Sequence, residues 1–122
     1  MIHQEITDKI IKSFYSVYNT LGFGFLEKVD ENALLIELRN TGLLVEKQVP
    51  IKVYYKEQQV GEYYADLIVE NKVIVELKAG ESLCEEHEFQ LINNLKAIDI
   101  EIGLLFNFGK KSQFKRKIFT NN

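Results

Sequence analysis

The sequence predicts an α/β fold in which one mixed β-sheet is flanked by helices. Three observations carry that expectation. Two stretches of helical period precede any strand, three β-rich runs follow one another, and a further helical stretch leads into a nearly continuous apolar run. Internal repeats, low-complexity segments and linkers are absent from the order helix, helix, strand, strand, strand, helix, strand.

Residues 2–21 repeat apolar side chains at Ile2, Ile6, Ile10, Phe14, Val17 and Leu21, a spacing that fits one face of a helix, and Gly22 and Gly24 break it. A second helix is expected over residues 25–40, with Leu26, Val29, Ala33 and Ile36 on one stripe and Gly42 as its stop signal. The period then changes. Residues 44–55 are rich in valine, isoleucine and tyrosine and are interrupted by Pro50, which marks a sheet edge or a bulge. Residues 60–69 and 73–79 read as two strands of a hairpin around Glu70, Asn71 and Lys72. Helical spacing returns over 85–98 with Phe89, Ile92, Leu95 and Ile98 on one side. Residues 102–108 have the pattern of a strand covered on both faces, and 114–119 offer a final strand.

The 122 residues are the size of one domain, expected over 1–122, and are enough to bury a core without disulfides. Cys84 is the single cysteine, so no internal disulfide forms and a reducing, cytoplasmic compartment is expected. Residues 1–12 lack the apolar core of a signal peptide, and no run approaches a membrane span, so no membrane association is expected. A net charge of -3 would repel a polyanion at long range, so any nucleic-acid contact must be local. The basic concentration is Lys110, Lys111, Lys115, Arg116 and Lys117. A solvated surface is its ordinary reading and a phosphate contact the sharper one.

Ionisable residues inside hydrophobic strands are informative, because a buried charge costs several kcal/mol unless it is paired or binds a metal. Asp66 lies in the second strand, and Glu76 and Lys78 lie in the third. Strand side chains alternate, so Glu76 and Lys78 share a face. A hairpin centred on Asn71 sets Asp66 directly across from Glu76, and it needs an odd-length loop such as Glu70-Asn71-Lys72. A two-residue loop of Glu70 and Asn71 would put the two carboxylates on opposite faces.

Side by side, these carboxylates repel unless something positive lies between them, and a hard divalent cation, Mg²⁺ or Mn²⁺, suits oxygen ligands. Lys78 would hold or help deprotonate an attacking water, or stabilise charge on a phosphate. The residues alone equally allow a cross-strand salt bridge of Lys78 with Asp66 or Glu76 on an exposed face. The tyrosines at 54, 55, 63 and 64 are expected to pack within strands rather than stack bases. His3 and His87 lack partners at zinc-ligand spacing, and Cys84 lacks an activating base.

Four segments then acquire a common meaning: Gly24-Phe25-Leu26-Glu27, Gly61-Glu62-Tyr63-Tyr64-Ala65-Asp66-Leu67, Val75-Glu76-Leu77-Lys78 and His87-Glu88-Phe89-Gln90. Their order resembles the PD-(D/E)XK phosphodiesterase superfamily and, within it, the small bacterial group named GxxExxY proteins. The resemblance implies a restriction-endonuclease-like αβββαβ core with an extra N-terminal helix. It implies a nuclease dependent on Mg²⁺ or Mn²⁺ and acting on nucleic acid, DNA ahead of RNA. Asp66 and Glu76 would bind the metal, Lys78 would be catalytic, Glu27 would complete the acidic cluster from its helix, and Gln90 would orient water or substrate.

Two positions depart from the group's pattern, in which tyrosines stand where this chain has Asp30 and Asn94. Each lies one helical turn from a proposed site residue, after Glu27 and Gln90 respectively. The expectation is reduced or altered activity with the metal ligands retained. An alternative is a nuclease-fold module that binds without turning over. A domain this small leaves limited room for a substrate-reading element, which points to a homodimer or a protein partner as a further alternative.

Overall fold

The computed structural model describes residues 2–120, so Met1, Asn121 and Asn122 of the expected domain lie outside the described residues. The elements follow as α1 (Gln4–Leu21), α2 (Glu27–Asn40), β1 (Val45–Tyr55), β2 (Gln58–Val69), β3 (Val73–Lys78), α3 (Glu85–Ala97), β4 (Ile102–Phe108) and β5 (Ser112–Ile118). The strands form one sheet in the order β1-β2-β3-β4-β5. All neighbours are antiparallel except β3 and β4, which run parallel and are joined through α3.

Two hydrophobic cores fill the two faces of the sheet. Alternation along β3 and β4 sends Val73, Val75, Leu77, Leu104 and Phe106 to the face covered by Ile10, Phe14 and Val17 of α1 and Leu34, Leu35 and Leu38 of α2. Phe14 stacks on Phe106 with ring centroids 4.4 Å apart, fixing α1 on β4. Ile74 and Leu105 face the other way, against Leu91 and Leu95 of α3, together with Ile51, Ala65 and Ile68. All seven residues of β4 are buried, as an apolar run covered on both faces requires. At Gly103 a Cβ would meet the Leu91 side chain at 2.6 Å, so glycine lets α3 lie close on the strand.

Two stripes differ from expectation. On α2 the buried positions are Asp30, Glu31, Leu34, Leu35 and Leu38, whereas Leu26, Val29 and Ile36 are exposed. Apolar residues occur on more than one side of this helix, and the stripe that packs carries two acids. On α3, Leu91, Asn94 and Leu95 are buried while Phe89 is exposed. β1 is an edge strand, in keeping with Pro50, but its sharpest departure is Gln48, which has φ 48°.

The β2–β3 turn has the expected register. Leu67 pairs with Val75, Ile68 with Ile74 and Val69 with Val73, which centres the hairpin on Asn71 with a three-residue loop. Glu70 and Asn71 both have positive φ, 55° and 54°, and Lys72 N–H closes the turn on the Val69 carbonyl at 2.9 Å. The left-handed Glu70 is held by two contacts with Leu44: its N–H donates to the Leu44 carbonyl, and its carboxylate accepts from the Leu44 N–H.

Candidate metal centre

Extending the hairpin register one step beyond Leu67 and Val75 sets Asp66 opposite Glu76. The backbone ladder stops there. Instead the Asp66 Oδ2 accepts the Leu77 N–H at 2.8 Å, so the carboxylate satisfies a donor on the neighbouring strand and is aimed across the hairpin. Glu76 faces α3, because Val75 and Leu77 on either side of it face α1 and α2. There the Asn94 Nδ2 donates to the Glu76 Oε1 at 3.4 Å.

The Glu76 carboxyl is pushed up to about 8, first by burial, then by the charge of Asp66 and by a hydrogen bond between the two side chains. Lys78 and the Asp66 backbone pull the other way without reversing it. In the metal-free chain Glu76 is therefore largely protonated at neutral pH. Lys78 is half-buried beside Glu76, and among the described residues no ion pair joins it to either carboxylate. The exposed cross-strand salt bridge is not the arrangement adopted.

A second chain of contacts arrives from α2. Gln48 Nε2 donates to the Glu31 Oε1 at 2.8 Å and, more weakly, to the Asp66 Oδ1 at 3.4 Å. Glu31 is buried and also accepts from Lys28 Nζ at 2.9 Å. The helical acid connected to Asp66 is thus Glu31, whereas Glu27 is exposed at the start of α2. The charge of Glu27 falls on Asp30, which is only 2% exposed, has an Oδ1 without a hydrogen-bond partner, and is raised to about 6 mainly by burial. Gln90 is exposed one turn before Asn94 on α3.

Glu31 and Gln48 were not singled out from the sequence. Gln48 falls opposite Asp66 in the β1–β2 register, between the pairs Lys47–Leu67 and Val49–Ala65, a pairing that the sequence does not announce. Glu31 carried no signal either, because an acid beside Asp30 on a helix reads as a solvated residue.

Among the described residues no three Asp, Glu, His or Cys side chains stand together as a ready ligand cluster. The donor set that is present nevertheless fits a hard divalent cation. A protonated, buried Glu76 lies opposite Asp66, which is anchored by a backbone N–H, and a cation replacing the Glu76 proton would compensate the buried negative charge and its repulsion with Asp66. The remaining positions of such an ion would fall to carbonyl, water or phosphate oxygens.

The basic concentration near the carboxyl end is divided between the two faces of β5. Lys117 pairs with Glu88 of α3, and the Arg116 Nη2 donates to the Thr7 hydroxyl of α1 at 3.1 Å. His87 and Cys84 work at the start of α3, where the Cys84 N–H donates to His87 Nδ1 at 3.4 Å.

A sheet with one parallel pair bridged by a helix, entered through an antiparallel hairpin carrying the acidic residues, defines the restriction-endonuclease-like α/β fold. A family model of the PD-(D/E)XK nuclease superfamily matches residues 4–117, and the chain belongs to that superfamily. The superfamily is one of nucleases, whose members typically use divalent metals. A solved structure titled "Crystal structure of SSO0001" superposes with a TM-score of 0.62 at 20% identity, covering 97% of this chain and 60% of that one, and so bears on the fold alone. No curated protein matches the chain. Among the described residues no helix is long and apolar enough to cross a membrane.

Proposed function

We propose that this chain is a metal-dependent phosphodiesterase of the GxxExxY group, a single domain over 1–122 acting in the cytoplasm on nucleic acid, DNA ahead of RNA. The observation that carries the reading is the Asp66–Glu76 pair: the hairpin register sets the two opposite each other, the Leu77 N–H anchors Asp66, and burial, then the charge of Asp66, raises Glu76 to about 8. Asp66 and Glu76 would hold Mg²⁺ or Mn²⁺, with Glu27 adding negative charge from the start of α2. When bound, the ion supplies electrostatic stabilisation of charge gathering on the phosphate.

The chain's own residues would do the rest. The Leu77 N–H fixes the Asp66 carboxylate, and Gln48 braces it from Glu31. Lys78, on the same strand face as Glu76, would position and help deprotonate the attacking water. Gln90 would orient water or substrate from α3.

One observation favours a second reading, a binding module with little turnover. Asn94 stands at a family tyrosine position and spends its amide on Glu76, and Asp30 stands at the other as a buried, partly unsatisfied acid. Replacing both by tyrosine separates the readings. On the enzyme reading, Mn²⁺-dependent cleavage rises in Asp30→Tyr/Asn94→Tyr and disappears when Glu76→Ala is added. Unchanged metal affinity and unchanged cleavage in the double variant would defeat the role given to these two positions.

A further inference from the structure

Asn94 also lines a groove that extends beyond the residues used in the catalytic reading. Two cavities of ≈ 500 and ≈ 340 Å³ lie along α3 and share Tyr63, Asn93 and Asn94, so they form one continuous trough between α3 and the outer half of the β1–β2 hairpin. Lys52, Tyr54 and Lys96 line one end, and Phe89 and Gln90 the other.

Three aromatic side chains on this trough are exposed without a packing reason: Tyr54 at 59%, Tyr63 at 52% and Phe89 at 59%. Strand tyrosines normally lie on a neighbouring surface, yet this arm of the hairpin runs beyond the core. Its root is firm. Ile51, the cross-strand partner of Tyr63, is fully buried, and Ala65, two residues from Tyr63 and on the same side, belongs to the core under α3. Tyr63 is therefore held towards α3 with its ring uncovered.

The charges of the trough are cationic at the end away from Glu86. Lys52 and Lys96 both line it, and Lys96 Nζ is steadied 5.4 Å from the Phe119 ring. Glu62 lies across the strand from Lys52, and its carboxylate accepts from the Tyr64 hydroxyl at 2.8 Å. On a chain of net charge -3, two lysines lining the same trough as exposed aromatic rings, Lys96 on α3 and Lys52 at the β1 rim, form a local attraction for a polyanion that carries flat apolar groups. Paired bases hide their faces inside the duplex; unpaired bases present them.

We propose that this trough is a channel for single-stranded nucleic acid. Tyr63, Tyr54 and Phe89 stack unpaired bases, Lys52 and Lys96 hold the phosphates, and the strand is led across Asn94 to Glu76. This names a substrate class for the site and rests on the nuclease reading given above.

The test uses fluorescence anisotropy with the whole chain in EDTA. The probes are labelled DNA and RNA single strands of about 12 nucleotides and the duplex of the same sequence, a length within the usual range of single-strand sites. Single strands are expected to bind at least about tenfold more tightly than the duplex. Tyr63→Ala/Phe89→Ala is expected to weaken them roughly 5- to 100-fold with Tyr63→Phe close to the parent, and Lys52→Glu to reduce the salt dependence.

Equal affinity for the duplex overturns the proposal, as does unchanged single-strand binding in Tyr63→Ala/Phe89→Ala of unaltered Tm. A change of oligomeric state in that variant without a change in binding assigns the surface to a second copy of the chain and also overturns it. DNA and RNA arms that differ identify which sugar the channel takes. Assays with Mn²⁺ keep the two readings apart. Strand binding without cleavage removes the nuclease reading and leaves the channel; duplex cleavage without strand binding does the reverse.

Discussion

The proton on Glu76 is the feature from which most of the site's chemistry follows at the scale of the residue. A carboxyl held to about 8 is neutral in the metal-free chain at pH 7, while a ligand must be ionised, so binding an ion has to expel that proton. Calorimetry with Mn²⁺ in buffers of different ionisation enthalpy should show about one proton released per ion near pH 7. Release should fall away above pH 8 and vanish in Glu76→Gln.

The same shift fixes a direction for stability. Glu76 rises from 4.5 to about 8 and Asp30 from 3.8 to about 6, so both bind protons more tightly in the folded chain than in the unfolded one. Their contribution is complete below about pH 4 and is lost as pH rises, through about 6 for Asp30 and about 8 for Glu76. Urea denaturation of the metal-free chain should therefore show these two groups lowering stability between pH 4 and 8. Asp30→Asn should flatten the lower part of that fall and Glu76→Gln the upper part. A curve that neither substitution changes would contradict the burial assigned to these side chains.

At the scale of the element, close approach decides how α3 presents Asn94 to Glu76. Gly103 has no room for a Cβ because Leu91 occupies the space, so Gly103→Ala must move α3 or distort Leu91. A loss of roughly 1–3 kcal/mol is expected in denaturant melts, as for overpacking in other cores. Trimming Leu91 in the same chain should recover part of it, and additive losses would argue against direct contact.

Elements were also where the sequence was most and least legible. The β2–β3 register followed from alternation and an odd loop, because burial on both faces leaves no second register for Val73, Val75 and Leu77. The stripes of α2 and α3 did not follow. Asp30, Glu31 and Asn94 lie on buried faces, and Leu26 and Phe89 on exposed ones, so polarity at these positions reported on the site rather than on packing. For the same reason the tyrosines of the hairpin arm, expected to pack within strands, stand exposed at Tyr54, Tyr55, Tyr63 and Tyr64.

Across the whole molecule, one sheet brings together groups that lie far apart in the chain. Its hairpin supplies Asp66, Glu76 and Lys78, α2 reaches Asp66 through Glu31 and Gln48, and α3 reaches Glu76 through Asn94. Hydrophobic period and strand order made the sheet and its layers readable beforehand. The Glu31–Gln48 brace was not, since it depends on the kink at Gln48, which no local preference of glutamine announces.

The most direct measurement pairs ion binding with cleavage in one preparation: Mn²⁺ calorimetry and single-strand cleavage for the parent chain and for Lys78→Ala. Both are expected to bind the ion, the parent to cleave, and Lys78→Ala to cleave about 100-fold more slowly or worse. A parent chain that binds no ion, or a Lys78→Ala variant that cleaves as fast as the parent, would contradict metal- and lysine-assisted cleavage.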